Sequence, residues 1–323
     1  MSILVTGCAG FIGYHLCEKL LIKSKKKIYG IDNLNNYYDL KLKKSRLVNL
    51  SKNKKFNFKK IDITNNFLLN NYIKKHKIKF IIHLAAQAGV RHSIKNPKAY
   101  FESNLLGFFN ILESARSNNI KHLIFASTSS VYGNSNDFPL SEKSNSSNPL
   151  SFYAATKKSN EVMAHSYSNI FKLPSSGLRF FTVYGPYGRP DMALFKFSEA
   201  IIKSKFIDLY NNGNHTRDFT YIDDVVESII KIIHKIPKNN IPFEIYNVGN
   251  SHPQKLRKFL KEIELNLNKK SKKNLLKIQA GDVVKTHANI NKIAKLTNFR
   301  PEINIKEGIK NFIEWYKKYY KSK

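Results

Sequence analysis

Hydrophobic positions along the chain fall into two alternating periods. A short apolar run, Ile3-Leu4-Val5, is followed by Gly7-Cys8-Ala9-Gly10-Phe11-Ile12-Gly13 and an amphipathic stretch with Leu16, Leu20 and Leu21 on one side. This predicts strand, glycine turn, helix. Further apolar runs at Ile28 to Ile31, Phe56 to Ile61, Phe80 to Leu84 and Leu123 to Ala126 alternate with helical patterns near residues 65–76 and 98–118. Such alternation predicts an α/β fold with a doubly wound parallel sheet, whose ligands bind beyond the carboxyl ends of the strands. After the strand Ser175 to Phe180 the alternation loosens, and short strands (Ile207 to Tyr210, Phe243 to Val248) read as pieces of a smaller C-terminal α/β unit. The last helix, Lys306 to Tyr320, has an apolar side of Ile309, Phe312, Ile313 and Tyr316 that suits packing.

The predicted strand ends carry the chemistry. Gly7 allows a tight turn, Gly10 lets backbone approach a pyrophosphate, and Gly13 lets helix and strand pack closely, with Phe11 and Ile12 at the helix start. Asp32 follows about 20 residues on, where a carboxylate accepts from an adenosine ribose and repels a 2′-phosphate. This is a Rossmann pattern and predicts NAD. Asp62-Ile63 offer an adenine contact and Ala85 to Gly89 a small-residue surface for the cofactor, although each also reads as an ordinary turn. Ser127-Thr128-Ser129-Ser130 fall where a nicotinamide would lie. Tyr153 and Lys157, four residues apart on one helix, project the same way, and an ammonium near a phenol favours the phenolate. The expected division is residues 1–180 for dinucleotide binding, joined by part of 215–236, and residues 181–323 for the substrate.

Composition changes this picture little. In 323 residues, 55 Lys+Arg against 23 Asp+Glu give a net charge of +32. The excess is lysine in short scattered runs (Lys25 to Lys27, Lys52 to Lys60, Lys269 to Lys273) travelling with Asn and Ile, which reads as compositional drift on a solvated surface. No nucleic-acid partner is expected. Cys8 and Cys17 lack metal-ligand spacing and read as reduced thiols, and no metal is expected. No apolar run approaches 18 residues, and the chain starts directly on a strand, so no membrane partner and a cytoplasmic location are expected.

TGCAGFIGYHL, Asp32, HLAAQAGVR (His83 to Arg91), ASTSSVYG (Ala126 to Gly133) and YAATK together resemble the extended short-chain dehydrogenase/reductase family over essentially the whole chain. Within it, IDNLNNYYD (Ile31 to Asp39), FFTVYGPYGRPDMALFKF (Phe180 to Phe197), RDFTYIDD (Arg217 to Asp224) and the Gly281-Asp282-Val283 region look most like UDP-glucuronate 4-epimerases. The resemblance implies an isomerase that turns over a UDP-sugar through a transient 4-keto intermediate on bound NAD. Tyr153 would be the base, Lys157 would hold the nicotinamide ribose and depress the Tyr153 pKa, and Thr128 would relay the sugar 4-hydroxyl proton. Arg217 and Asp282 would bind diphosphate and ribose, and Thr182, Arg189, Ser129 and Ser130 the sugar carboxylate. Arg189 also reads as a structural loop cation. Gln279 stands where glucose-type epimerases carry an Arg, and Asn289 replaces an expected Asp, where it can cap the following helix. UDP-glucose 4-epimerase, 4,6-dehydratase and uronate decarboxylase are the alternatives. The last two place acids where Ser129 and Ser130 stand. Helices near 98–118 and 152–171 would pair across a two-fold in a homodimer.

Overall fold

The computed structural model describes residues 2–24, 26–279 and 281–321, the side chain of Lys321 excepted; Lys25 of the first lysine run lies outside them. Strands β1 (Ile3–Thr6), β2 (Ile28–Asp32), β3 (Phe56–Lys60), β4 (Phe80–His83), β5 (His122–Thr128) and β6 (Ser175–Phe180) form a parallel sheet with the strand Phe243–Val248. Its order is Phe243–Val248, β6, β5, β4, β1, β2, β3. The order reverses at β1, so a crevice opens beyond the carboxyl ends of β1 and β4.

Each central strand feeds two cores. Ile3 and Val5 pack on one face and Leu4 on the other; Phe80 and Ile82 oppose Ile81, and Ile124 opposes Leu123 and Phe125. Period-two side chains buried on both faces explain why these strands read as unbroken apolar runs. Helix α1 (Phe11–Lys23) lies on the first face with the helix Ile222–Ile233. The strand Phe243–Val248, expected among the pieces of the smaller unit, instead extends the main sheet, with Phe243 opposite Ser175 and Val248 opposite Phe180. Nothing in its sequence separates an edge strand of one sheet from a strand of another; the pairing is decided by β6, which needs a neighbour on its open side.

Other expectations fare unevenly in detail. The pattern near 98–118 is three segments: an α-turn Pro97–Tyr100, a π-helix Phe101–Leu106 and an α-helix Gly107–Ser117. The lysine run at 269–273 is partly a strand, Lys272–Leu276, paired in parallel with Phe206–Tyr210. Asn289 Oδ1 accepts from the Asn291 backbone N–H at 3.0 Å at the start of the helix Asn291–Thr297. In the last helix, Ile309, Phe312, Ile313 and Tyr316 are all buried. Cys8 and Cys17 are free and buried. The RDFTYIDD run owes two of its acids to architecture. Asp218 accepts from the backbone N–H groups of Asn250, Ser251 and Ala288 at 2.6, 3.0 and 2.9 Å, and Asp224 from those of Glu302 and Ile303.

One ion pair seats the Tyr153 helix, Phe152–Phe171, on the sheet. Arg179 of β6 donates Nε and Nη2 to Glu161 Oε1 and Oε2 at 2.8 and 2.7 Å, with both side chains 3% exposed. Ser127 of β5 donates to Glu161 Oε1 at 2.7 Å. Burial alone would raise the Glu161 carboxyl, yet the Arg179 bonds and charge hold it below its ordinary range. Glu161→Ala should cost about 3–5 kcal/mol, because it leaves a buried guanidinium unpaired. A urea unfolding midpoint unchanged from wild type would contradict this.

Candidate active site

The dinucleotide end is built by the β1 turn. Gly7 has φ +70°, and its amide donates to Ile31 O at 2.8 Å. A Cβ on Gly13 would run into the Gly7 carbonyl oxygen. No side chain caps α1 at Gly10, so the first amides of the helix keep their capacity for an anion. Asp32 ends β2, its Oδ1 accepting from Leu34 N at 2.8 Å and Oδ2 from Ala9 N at 3.2 Å. Burial raises this carboxyl, and the two backbone bonds with Lys43 and Arg46 oppose the rise. Asp62 is turned to its own loop, accepting from Asn33 Nδ2 and from Thr64 N and Oγ1 at 2.8, 2.9 and 2.8 Å. Ile63 is buried, and the Ala85 amide donates to Thr6 Oγ1 at 3.1 Å.

The helix α2 (Leu40–Ser51), capped by Asp39 accepting from Lys41 N at 2.8 Å, brings in residues that motif reading passes over. Lys43 and Arg46 lie in its buried stripe with Leu42, Leu47 and Leu50. Lys43 Nζ donates to the Asn35 carbonyl and side-chain oxygens at 2.7 Å each. Arg46, fully buried, donates to Ala9 O and Tyr38 Oη at 2.7 Å and to Tyr187 O at 2.6 Å. Cations within an apolar stripe are the signal that could have found them.

At the other end, Ser151 caps the Tyr153 helix by accepting from Ala154 N at 3.2 Å. Lys157 is 2% exposed, donates to Ala126 O at 2.9 Å, and is pushed down to about 8 by burial. Burial pushes the Tyr153 phenol up, while the Arg189 charge and a Thr128 hydrogen bond pull it part of the way back. Arg189 is thus a cation that lowers this phenol. Thr128 Oγ1 accepts from Ser130 N and donates to Ser130 Oγ, both at 3.2 Å. Arg217 spends its guanidinium on the carbonyls of Thr216, Val283 and Val284. Burial and the neighbouring Arg91 lower it to about 10 against the pull of Asp282. Asp282 is paired with Arg91 at 2.9 Å, and the Arg91 guanidinium lies 4.2 Å from the Tyr210 ring centre.

A cavity of ≈ 1240 Å³ joins these parts. Gly7, Gly10, Phe11, Ile12, Gly13, Asp32, Ile63 and Ala85 line one end, and Thr128, Ser129, Ser130, Tyr153 and Lys157 the middle. Thr182, Arg189, Arg217 and Asp282 complete it, whereas Asp62 does not line it. Gln279 also lines the wall, with its Oε1 buried and unpartnered among the described residues, as is Nε2 of His215. Among those residues there is no cluster of three or more potential metal ligands, and no helix long and apolar enough to cross a membrane.

A doubly wound sheet with an uncapped glycine turn at one end of a crevice and a Tyr/Lys helix at the other defines an extended short-chain dehydrogenase/reductase. More narrowly, the NAD dependent epimerase/dehydratase family matches residues 3–249, and the chain belongs to it. It is 47% identical to Protein CapI of Staphylococcus aureus, over 99% of this chain and 100% of that protein. To a probable UDP-glucuronate 4-epimerase of Rhizobium meliloti it is 42% identical, over 99% and 98%. The crystal structure of UDP-glucuronic acid 4-epimerase from Bacillus cereus, in complex with UDP-glucuronic acid and NAD, matches with a TM-score of 0.93 at 35% identity, covering 99% of this chain and 100% of that one.

Gly13→Ala should displace the turn, cost about 1–3 kcal/mol by overpacking against backbone, and abolish dinucleotide binding measured by calorimetry. Binding at wild-type affinity would show that the turn is not the dinucleotide seat.

Proposed function

We propose that the protein is an NAD-dependent 4-epimerase that interconverts UDP-glucuronate and UDP-galacturonate through a transient 4-keto sugar. Full-length relatives support the reaction class. The observation that carries the reading is the meeting in one cavity of Tyr153, Thr128, Lys157 and Arg189, with serines at positions 129 and 130. Serine is no match for a carboxylic acid as an acid or base at neutral pH, so the residues at hand favour inversion over dehydration.

The residues fit the cofactor. The amides of the Gly7 to Gly13 turn, with Phe11 and Ile12, would hold the pyrophosphate, Asp32 the adenosine ribose, Ile63 the adenine, Ala85 the inner ribose and Lys157 the nicotinamide ribose, while Asp62, which does not line the cavity, would only brace the adjoining loop. Bound NAD would supply a reversible hydride acceptor for C4. Tyr153 takes the O4 proton and gives it back, Thr128 relays it, and Lys157 holds a positive charge on the same helix. Ser129, Ser130, Thr182 and Arg189 hold the carboxylate, which keeps its C–C bond out of line with the neighbouring carbonyl π system and so slows loss of CO₂. Arg217 and Asp282 take the diphosphate and ribose. The domain division is proposed along these lines, residues 1–180 with part of 215–236 and the sheet strand Phe243–Val248 for NAD, and the remainder for the UDP-sugar.

The enzyme is proposed to act in the cytoplasm, feeding polysaccharide biosynthesis as a homodimer. Phe101, Leu106 and Phe109 in one segment and Phe152, Val162, Ile170 and Phe171 on the Tyr153 helix are exposed apolar residues that a second copy would cover.

The deciding experiment incubates the protein with UDP-glucuronate and follows products by NMR and evolved CO₂. UDP-galacturonate with no CO₂ is expected; a pentose product would overturn the reading. Tyr153→Phe should keep its bound cofactor and lose about 10² to 10⁴ in turnover, since only proton transfer is removed. Arg189→Ala should weaken UDP-glucuronate by about 1.5–3 kcal/mol more than UDP-glucose, and equal losses would assign Arg189 to the loop.

A further inference from the structure

Arg189 does not meet a ligand as a bare cation. Its Nε donates to Asp191 Oδ1 at 3.0 Å and its Nη2 to Oδ2 at 2.5 Å, the two-pronged geometry that guanidinium and carboxylate favour. Both side chains are mostly shielded, 21% and 26% exposed. Tyr37, in the turn after β2, donates its hydroxyl to Asp191 Oδ2 at 3.1 Å, and its ring packs 4.8 Å from that of His92. Asp191 is therefore held from two sides. A guanidinium has five N–H donors; Asp191 occupies two, and donors remain for a ligand.

We propose that Asp191 is a positioning residue for uronate recognition: it fixes the orientation of Arg189 and limits the positive charge that both the sugar carboxylate and Tyr153 experience. This rests on the reading of the enzyme as a UDP-uronate epimerase. A neutralised Arg189 selects a carboxylate by directed hydrogen bonds rather than by net charge, so an anion placed elsewhere on the sugar gains little. The same offset acts on the base. Tyr153 is faced by Lys157 on its own helix, by Thr128 at the end of β5, by the Tyr100 ring at 6.1 Å and by Arg189. Arg189 is a cation that pulls the phenol down, and Asp191 opposes the lowering that burial imposes on the guanidinium itself. With Asp191 ionised, Tyr153 is drawn down only part of the way, which suits a group that must both take and return a proton.

The test compares wild type with Asp191→Asn, Asp191→Glu and Asp191→Ala, all carrying their bound cofactor. Wild type must first epimerise UDP-glucuronate; failure there is failure of the function, not of this inference. Asp191→Asn keeps an acceptor for Arg189 but not the charge, so the rising limb of the kcat against pH profile should move to lower pH by about half a unit or more. Asp191→Glu keeps the charge and should leave that limb in place. Asp191→Ala frees the guanidinium, and calorimetry should show UDP-glucuronate binding weakened about tenfold with UDP-glucose little changed. An unmoved limb in Asp191→Asn, or equal weakening of both sugars in Asp191→Ala, overturns the proposal. If Asp191→Ala does not fold, the near-isosteric Asn and Glu variants decide it alone.

Discussion

The Arg179–Glu161 pair is the constraint on which the site depends. It joins an inner strand to the helix that carries Tyr153 and Lys157, and it does so where water cannot compete. Its two parallel bonds restrict rotation of the helix as well as its distance from the sheet. Ser127 and the Lys158 ammonium, 3.2 Å from Glu161 Oε2, satisfy the remaining oxygen capacity. The Tyr132 ring lies 4.7 Å from the guanidinium carbon of Arg179. With Arg179 and Ser127 both on the sheet, the helix has one seating that leaves no buried charge unpaired.

The reactive groups answer to the same competition between burial and charge. Among the described residues Lys157 has one acceptor, Ala126 O, and its depressed proton affinity follows from burial with so little solvation. Below it, His83 is kept neutral by burial and by the Lys157 charge. The hydrogen bonds agree: Thr6 Oγ1 accepts from the Leu84 and Ala85 amides, so its proton goes to His83 Nδ1 and the ring carries its hydrogen on Nε2. A second cation beneath the ammonium is thereby avoided.

Strands and turns were legible where one residue type answers to one physical demand. Gly7 and Gly13 are dictated by a positive φ and by a carbonyl in contact, and the doubly buried strands announce themselves by unbroken apolar runs. Tyr153 and Lys157 could be named from their spacing on one helix, and Thr128 and Arg189 only through the family resemblance of the runs that carry them. What stayed hidden depends on tertiary pairing. Phe243–Val248 and Lys272–Leu276 have no local mark of the strand each will join, and a π-helix at Phe101–Leu106 has no periodicity of its own. Asn104 shows why that turn widens: its side chain accepts from Gln87 N and donates to Gln87 O and Thr156 Oγ1 at 2.8, 3.0 and 3.1 Å, partners 17 and 52 residues away. Tyr37 and Arg46 each lie inside or beside a motif, but the Asp191 carboxylate and the Tyr187 carbonyl to which they donate lie 154 and 141 residues away.

Arg46 has a further consequence. Its buried guanidinium ties the carbonyl of Ala9, in the glycine turn, to those of Tyr187 and Gly188, just before Arg189. Releasing either segment would strand donors in a place water does not reach. The loop is consequently ordered when the chain folds rather than when a sugar arrives, and the loss of its conformational entropy is charged to folding instead of to binding. The wall that meets the substrate is stiff in advance, and affinity can be drawn from contacts without first being spent on arranging them.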